Sequence, residues 1–310
     1  MKRTHILHAA VAGAVLVAGW LVYRTLSQYS WEDIRNSVSA IPKMNFALAL
    51  AFSAGSYVCL TFFDFLALRY VGKPLPYRQA ALASFTSLSI GHNVGIAALS
   101  SGAVRYRFYR RWGLDTEEIA KLIVFCGVTV GLGLIVLAGI CLILLPGTAG
   151  KVAGLGRAAS LALGLACLAV GAVYLALAAF LRSELRVRHW RFALPSPGLA
   201  ALQLAVGTAN FAFVAACLHQ LLNGDGGYME TTAAYVMGNL TALVSHVPGG
   251  LGVMEAAIVF LLGSSASIGA LIAFRAAYFF IPLPLGVVCL LASEALLDAN
   301  GEEALRKNPG

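Results

Sequence analysis

The sequence predicts an all-α, polytopic membrane protein, and three observations carry that expectation. Of 310 residues, 59% are hydrophobic and only 12% charged, about half the charged share of a soluble domain. Apolar runs near the length of a bilayer-crossing helix, about 20 residues, recur at 6–26, 46–70, 118–145, 157–181, 199–222 and 270–296. Basic residues gather in the short segments between them, as the positive-inside rule requires of cytoplasmic loops. This pattern leaves no room for a soluble domain larger than a loop. The net charge of +8 is not drawn into a stripe on a nucleic-acid-binding module, so it is read as topology.

The run 6–26 follows Lys2 and Arg3. It is longer than the apolar core of a secretion signal, about 7 to 15 residues, and no small-x-small site follows, so it reads as a retained span starting in the cytoplasm. The span 46–70 brings the chain back to the cytoplasm at Arg69, Lys73 and Arg78.

Segment 79–101 then decides the topology. If it crossed, Arg105, Arg107, Arg110 and Arg111 would lie outside, and so would Arg182, Arg186, Arg188 and Arg191. If it is a re-entrant helical hairpin, broken at "GHNVG" (91–95), both clusters stay inside.

The span 118–145 opens on a capping box, Asp115 with Glu118, and an i, i+4 pair, Glu117 with Lys121. The spans 157–181 and 199–222 follow, and the loop "NGDGGYME" (223–230), free of Lys and Arg, belongs outside. Segment 231–266, interrupted at "SHVPGG" (245–250), is a second hairpin or two full helices. Either way the span 270–296 ends at Arg306 and Lys307 in the cytoplasm, with both termini on that side.

Six full spans plus two re-entrant hairpins thus form one integral membrane domain, 1–310. Within it, span, hairpin, span occurs twice, at 46–145 starting outside and at 199–296 starting inside. An inverted repeat of this kind brings broken helices together near the midplane of many transporters.

The six cysteines lie singly in apolar segments, with no C-x-x-C pair and no histidine at ligand spacing, so neither disulfides nor a metal site is expected. No G-x-x-x-x-G-K-[ST] motif signals ATP. No cofactor is expected, and transport would be passive or ion-coupled.

A charge at mid-bilayer costs about 2.5–3.5 kcal/mol on insertion scales, which singles out Asp64, Glu255 and Arg275. Asp64 lies about 9 Å from the cytoplasmic end of its span at about 1.5 Å per residue. It is either a site residue or an interfacial acid paired with Arg69 or Arg78. Glu255 opens the helix after the second break, where the helix dipole favours an acid. Arg275 needs a partner, and Glu255 is one; the alternative is snorkelling to the outer surface.

His92 and His246 each precede a break, either satisfying freed carbonyls or joining Asn93 and helix N-termini in binding a lipid phosphate. Glycines 91 and 95, like Gly127 and Gly131, have the spacing of a helix-packing face. Arg105 and Arg107 stand nearest the hairpin's exit, among aromatics suited to headgroup depth. There a basic residue draws anionic lipid with about 1 kcal/mol.

At these residues the chain resembles a known family. "SIGHNVGIAALSSGAVRYRFYRRWGLDTEEIAKLIVF" (89–125) and "SHVPGGLGVMEAAIVF" (245–260) are similar to the two signatures of the flippase-like membrane domain of lysylphosphatidylglycerol synthetase/flippase proteins. The resemblance extends over roughly 8–296. It implies a domain of the bacterial inner (cytoplasmic) membrane that moves aminoacylated phosphatidylglycerol, such as lysylphosphatidylglycerol, from inner to outer leaflet, lowering surface charge and cationic antimicrobial-peptide binding. The sequence stops at Gly310, before the transferase domain of the bifunctional proteins, so synthesis is not expected of it.

The expected partners are phospholipid headgroups and a separately encoded aminoacyl-phosphatidylglycerol synthase, with a homodimer left open. A site for this lipid should offer both signs: Arg275 and helix N-termini for phosphate, Glu255 or Asp64 for ammonium. The alternatives are a membrane enzyme with His92 or Glu255 as base, for which no nucleophile or metal constellation is visible, and an accessory protein of envelope-lipid, hopanoid or glycolipid synthesis.

Overall fold

The computed structural model describes residues 39–94, 97–147, 154–181, 184–187, 190–223, 227–245, 252–263 and 267–293, with isolated positions at 32, 35, 36 and 150. The first expected span, 6–26, lies outside them. The described chain is helical apart from one two-stranded ribbon. Five of its helices are long and apolar enough to cross a membrane: Lys43–Tyr70, Thr116–Leu144, Arg157–Phe180, Pro197–Leu221 and Gly269–Ser293. Each falls within a few residues of an expected span.

Helix α1, Lys43–Tyr70, starts behind Pro42, carries Arg69 in its last turn and stops before the Gly72 turn. The two prolines of Lys73-Pro74-Leu75-Pro76 then keep the chain from resuming the helix at once. Helices α2, Tyr77–Val94, and α3, Ala97–Arg111, form an antiparallel hairpin in which Gly91 lies against the backbone and Cβ of Ser101. The hairpin leaves at the end where it entered: Lys73, before α2, pairs with Glu118, after α3, at 3.6 Å. A single crossing would hold these residues about 30 Å apart. The arginine cluster, expected as a loop, is the helical second arm of the hairpin, because no breaker occurs before Gly113.

Helix α4, Thr116–Leu144, opens on the expected capping box: Glu118 N–H donates to Asp115 Oδ1 and Asp115 N–H to Glu118 Oε2, both at 2.8 Å. Lys121 and Glu117 pair at 2.8 Å. Helix α5, Arg157–Phe180, buries only Ser160, Gly164, Gly171 and Ala178 among its residues, a stripe of small side chains suited to close packing in lipid. After it comes the ribbon, β1 (Glu184–Val187) and β2 (Trp190–Ala193), paired antiparallel where a basic loop was expected. The ribbon lies at the Tyr70 end of α1, where the Tyr70 hydroxyl donates to the Ala193 carbonyl at 2.7 Å.

Helix α6, Pro197–Leu221, is capped by Ser196 with proline at its first position. It forms the centre of the bundle with α1. Against α4 it comes so close that a Cβ on Gly133 would overlap the Gly207 backbone. Gly127 and Gly131, by contrast, have nothing within 4 Å of an added Cβ, so they are not the packing glycines of α4.

A second hairpin follows, α7, Tyr228–Ser245, and α8, Val253–Leu262. With only ten residues, α8 is about 15 Å long at about 1.5 Å per residue. That is half of what a crossing needs. The last span begins as α9, Ile268–Arg275, passes through a π-helical turn, Ala276–Phe280, and continues as helix to residue 293.

Candidate lipid-headgroup site

Asp64 is wholly buried and held by four donors. Arg105 Nε donates to Oδ2 at 2.9 Å and Nη2 to Oδ1 at 2.7 Å; Tyr109 Oη adds 2.7 Å to Oδ2, and Cys126 Sγ lies 3.7 Å from Oδ1. Arg105 is 3% exposed. A buried bidentate pair of this kind is stable only when its remaining hydrogen-bonding positions are filled, and here the neighbouring hydroxyl and thiol fill them. The pair ties α1 to the second arm of the first hairpin. Arg69, one of the partners expected for Asp64, instead lies over the Phe65 ring at 4.3 Å.

The π-helical turn has its cause in Pro282 and Pro284, which bring no N–H to the carbonyls one turn earlier. Ile281 N–H reaches back five residues to Ala276 O, and side chains of other elements serve the next three carbonyls. Ser53 Oγ donates to Ala277 O at 3.1 Å, Tyr57 Oη to Tyr278 O at 3.2 Å, and Asn93 Nδ2 to Phe279 O at 3.1 Å. Beside them Ser56 donates to Asn210 Oδ1 at 2.7 Å and shares a hydrogen bond with Tyr278 Oη at 3.0 Å. The tip of the first hairpin is thus fastened to the last span through a polar seam inside an apolar bundle. π-Helical turns of this type are frequent at functional sites.

His92 lies in the same place, its ring packed against Tyr57, Tyr278 and Phe279 at centroid distances of 6.4, 6.1 and 6.1 Å. Its Nδ1 is buried and has no hydrogen-bond partner among the described residues.

The second hairpin reaches the same turn through charge. Arg275 Nε donates to Glu255 Oε1 at 2.5 Å, and Glu255 Oε2 accepts from Gly252 N–H at 2.9 Å. The guanidinium lies over the Phe279 ring, 4.8 Å from its centre, one turn further along the span. Arg275 therefore points into the bundle and does not snorkel toward the start of its helix. Its side chain is 4% exposed and that of Glu255 16%.

Comparison with known proteins places this arrangement. The family described as the lysylphosphatidylglycerol synthase TM region matches residues 11–286. The chain belongs to that family. It is 30% identical over 302 residues to "Uncharacterized protein slr0712" of Synechocystis, covering 95% of this chain and 94% of that protein. It is 29% identical over 290 residues to "Inner membrane protein YbhN" of Escherichia coli, covering 90% and 88%. With so little of either relative left unmatched, neither has room for a transferase domain.

In this member of the lysylphosphatidylglycerol synthase TM family, the structure brings together His92, Asn93, Glu255 and Arg275 around the Phe279 turn. Asp64 and Arg105 form a separate, sealed pair. Arg105, expected at the lipid surface, is turned inward; Arg107 is half-buried on α3, and Arg110 and Arg111 face outward. His246 lies outside the described residues. Sequence reasoning passed over Tyr109 and the hydroxyl and amide seam of Ser53, Ser56, Tyr57, Asn210 and Tyr278. Two signals were available: Ser53, Ser56 and Tyr57 share a helix face at i, i+3, i+4, and Pro282 and Pro284 interrupt the last span.

Proposed function

We propose that this protein is a lipid translocase of the bacterial cytoplasmic membrane, moving aminoacylated phosphatidylglycerol such as lysylphosphatidylglycerol from the inner to the outer leaflet. Membership of the family supports a lipid-transporting membrane domain. The observation that carries the reading is the polar seam at the π-helical turn, where both hairpins meet within helices of membrane-crossing length. Irregular backbone at membrane depth is tolerated where protein or a water-filled path surrounds it, and transporters use such breaks as binding sites.

An apolar groove of about 430 Å³ runs beside the seam, lined by Ser53, Tyr57, Thr61, Tyr77, Phe85 and Leu285 among others. It suits an acyl chain while the headgroup meets the polar seam. On this reading the hairpins are re-entrant, the two span-hairpin-span units are inverted repeats, and both termini are cytoplasmic. A separately encoded synthase supplies the lipid. The inner-membrane assignment is supported by the Escherichia coli relative, an inner membrane protein by name.

The test is made in a bacterium that synthesises lysylphosphatidylglycerol but lacks its exporter. A membrane-impermeant amine reagent applied to intact cells should label a larger fraction of the lipid when this chain is expressed. A labelled fraction that does not rise would contradict the proposal.

A further inference from the structure

The two buried acid–arginine pairs differ in a way that bears on the lipid path. Asp64 gives both oxygens to four donors and is sealed from every side. Among the described residues Glu255 is held by two contacts, Arg275 and the Gly252 amide, and part of its side chain remains accessible. It sits beside the second break, on a ten-residue helix.

Arg275, buried in a span, requires an anion at all times. A carboxylate and a phosphodiester each supply one negative charge, and a guanidinium binds either through paired N–H donors. Phe279, on which the guanidinium rests, is also packed against His92, whose buried Nδ1 has no partner among the described residues. An incoming phosphate could therefore replace the carboxylate on Arg275 and keep the guanidinium paired, while Glu255 retains the Gly252 amide and the N-terminal end of its helix. The unpartnered His92 Nδ1, beside the same Phe279 ring, is a further group for the phosphate.

We propose that Glu255 is a resident stand-in for the phosphodiester of a lipid headgroup. It occupies Arg275 in the resting protein and is displaced by the lipid. This inference rests on the translocase reading and adds to it the site at which the phosphate is held and the group that keeps the site closed. An internal ligand of this kind lowers apparent affinity by the fraction of time it occupies the site, so its removal should tighten binding.

The experiment uses the full chain and measures binding of glycerophosphoglycerol, and of phosphatidylglycerol in nanodiscs, with inorganic phosphate and a phosphate-free diglucosyl diacylglycerol as comparisons. Glu255→Gln should bind the two phosphodiesters at least about tenfold more tightly than the wild type, and Arg275→Gln should abolish the gain when added to it. His92→Phe should reduce the gain without removing it. Should Glu255→Gln fold poorly, glycerophosphoglycerol present during solubilisation should recover it. Glu255→Asp, whose shorter carboxylate holds Arg275 less well, should show an intermediate gain.

Unchanged or weaker phosphodiester binding in both Glu255 variants would overturn the proposal. So would a gain that survives Arg275→Gln, or one confined to inorganic phosphate. These binding results are independent of transport. Tighter binding without leaflet exchange would count against the translocase reading alone, and exchange without tighter binding against the stand-in alone.

Discussion

Arg105 grips Asp64 through two hydrogen bonds, 2.9 and 2.7 Å, from a position 41 residues away in sequence. The pair fastens the returning arm of the first hairpin to α1. Breaking a buried pair by removing one partner costs about 3–5 kcal/mol, whereas replacing both by apolar residues is often neutral. Asp64→Asn or Arg105→Gln should therefore lower the thermal unfolding temperature of the detergent-solubilised protein sharply. The double variant Asp64→Leu/Arg105→Met should recover most of the loss. A double variant no better than the worse single would show that the pair's role is not mutual charge compensation.

Asn93 provides the Phe279 carbonyl with a donor at 3.1 Å. Asn93→Leu leaves that oxygen one donor short at a cost of about 1–3 kcal/mol. Amide hydrogen exchange across residues 276–281 should quicken in the variant while α5, remote from the turn, keeps its rate. Equal rates at the turn in both proteins would show that the hairpin tip does not stabilise the π-helical segment.

Close approach of α4 and α6 depends on Gly133 and Gly207. Gly133→Leu or Gly207→Leu forces side-chain atoms into facing backbone, and overpacking of this kind costs about 1–3 kcal/mol or more. Gly127→Leu, with nothing within 4 Å of an added Cβ, is the control and should leave the unfolding temperature nearly unchanged. Equal losses at Gly127 and Gly133 would contradict the described packing.

The hairpin topology makes a separate prediction. In a background without the native cysteines, Lys73→Cys and Arg110→Cys should react with an impermeant maleimide from one side of the membrane and Asn223→Cys from the other. Lys73 and Arg110 labelled from opposite sides would mean that the first hairpin is a crossing.

Much of this was legible in the sequence, for physical reasons. Asp64, Glu255 and Arg275 stand out because each charge in an apolar run is costly, and few acids exist to partner Arg275. The hairpin reading followed from the sidedness of Arg105 to Arg111. The partner of Asp64 was hidden because Arg105 lies in a cluster that topology alone accounts for. The polar seam was hidden because hydroxyls such as those of Ser53 and Tyr57 barely lower the hydropathy of a run, and only the fold shows that they converge on the Ala277 and Tyr278 carbonyls of the π-helical turn. The ribbon at Glu184–Ala193 is hard to see in sequence because its basic residues obscure a short alternating pattern.

Leaflet exchange of lysylphosphatidylglycerol in proteoliposomes of the purified protein tests the account most directly. Vesicles containing the wild-type chain should expose inner-leaflet lipid to an external amine reagent much faster than protein-free vesicles, and Asn93→Leu should slow that exchange. Equal exposure in vesicles with and without the protein would contradict the account.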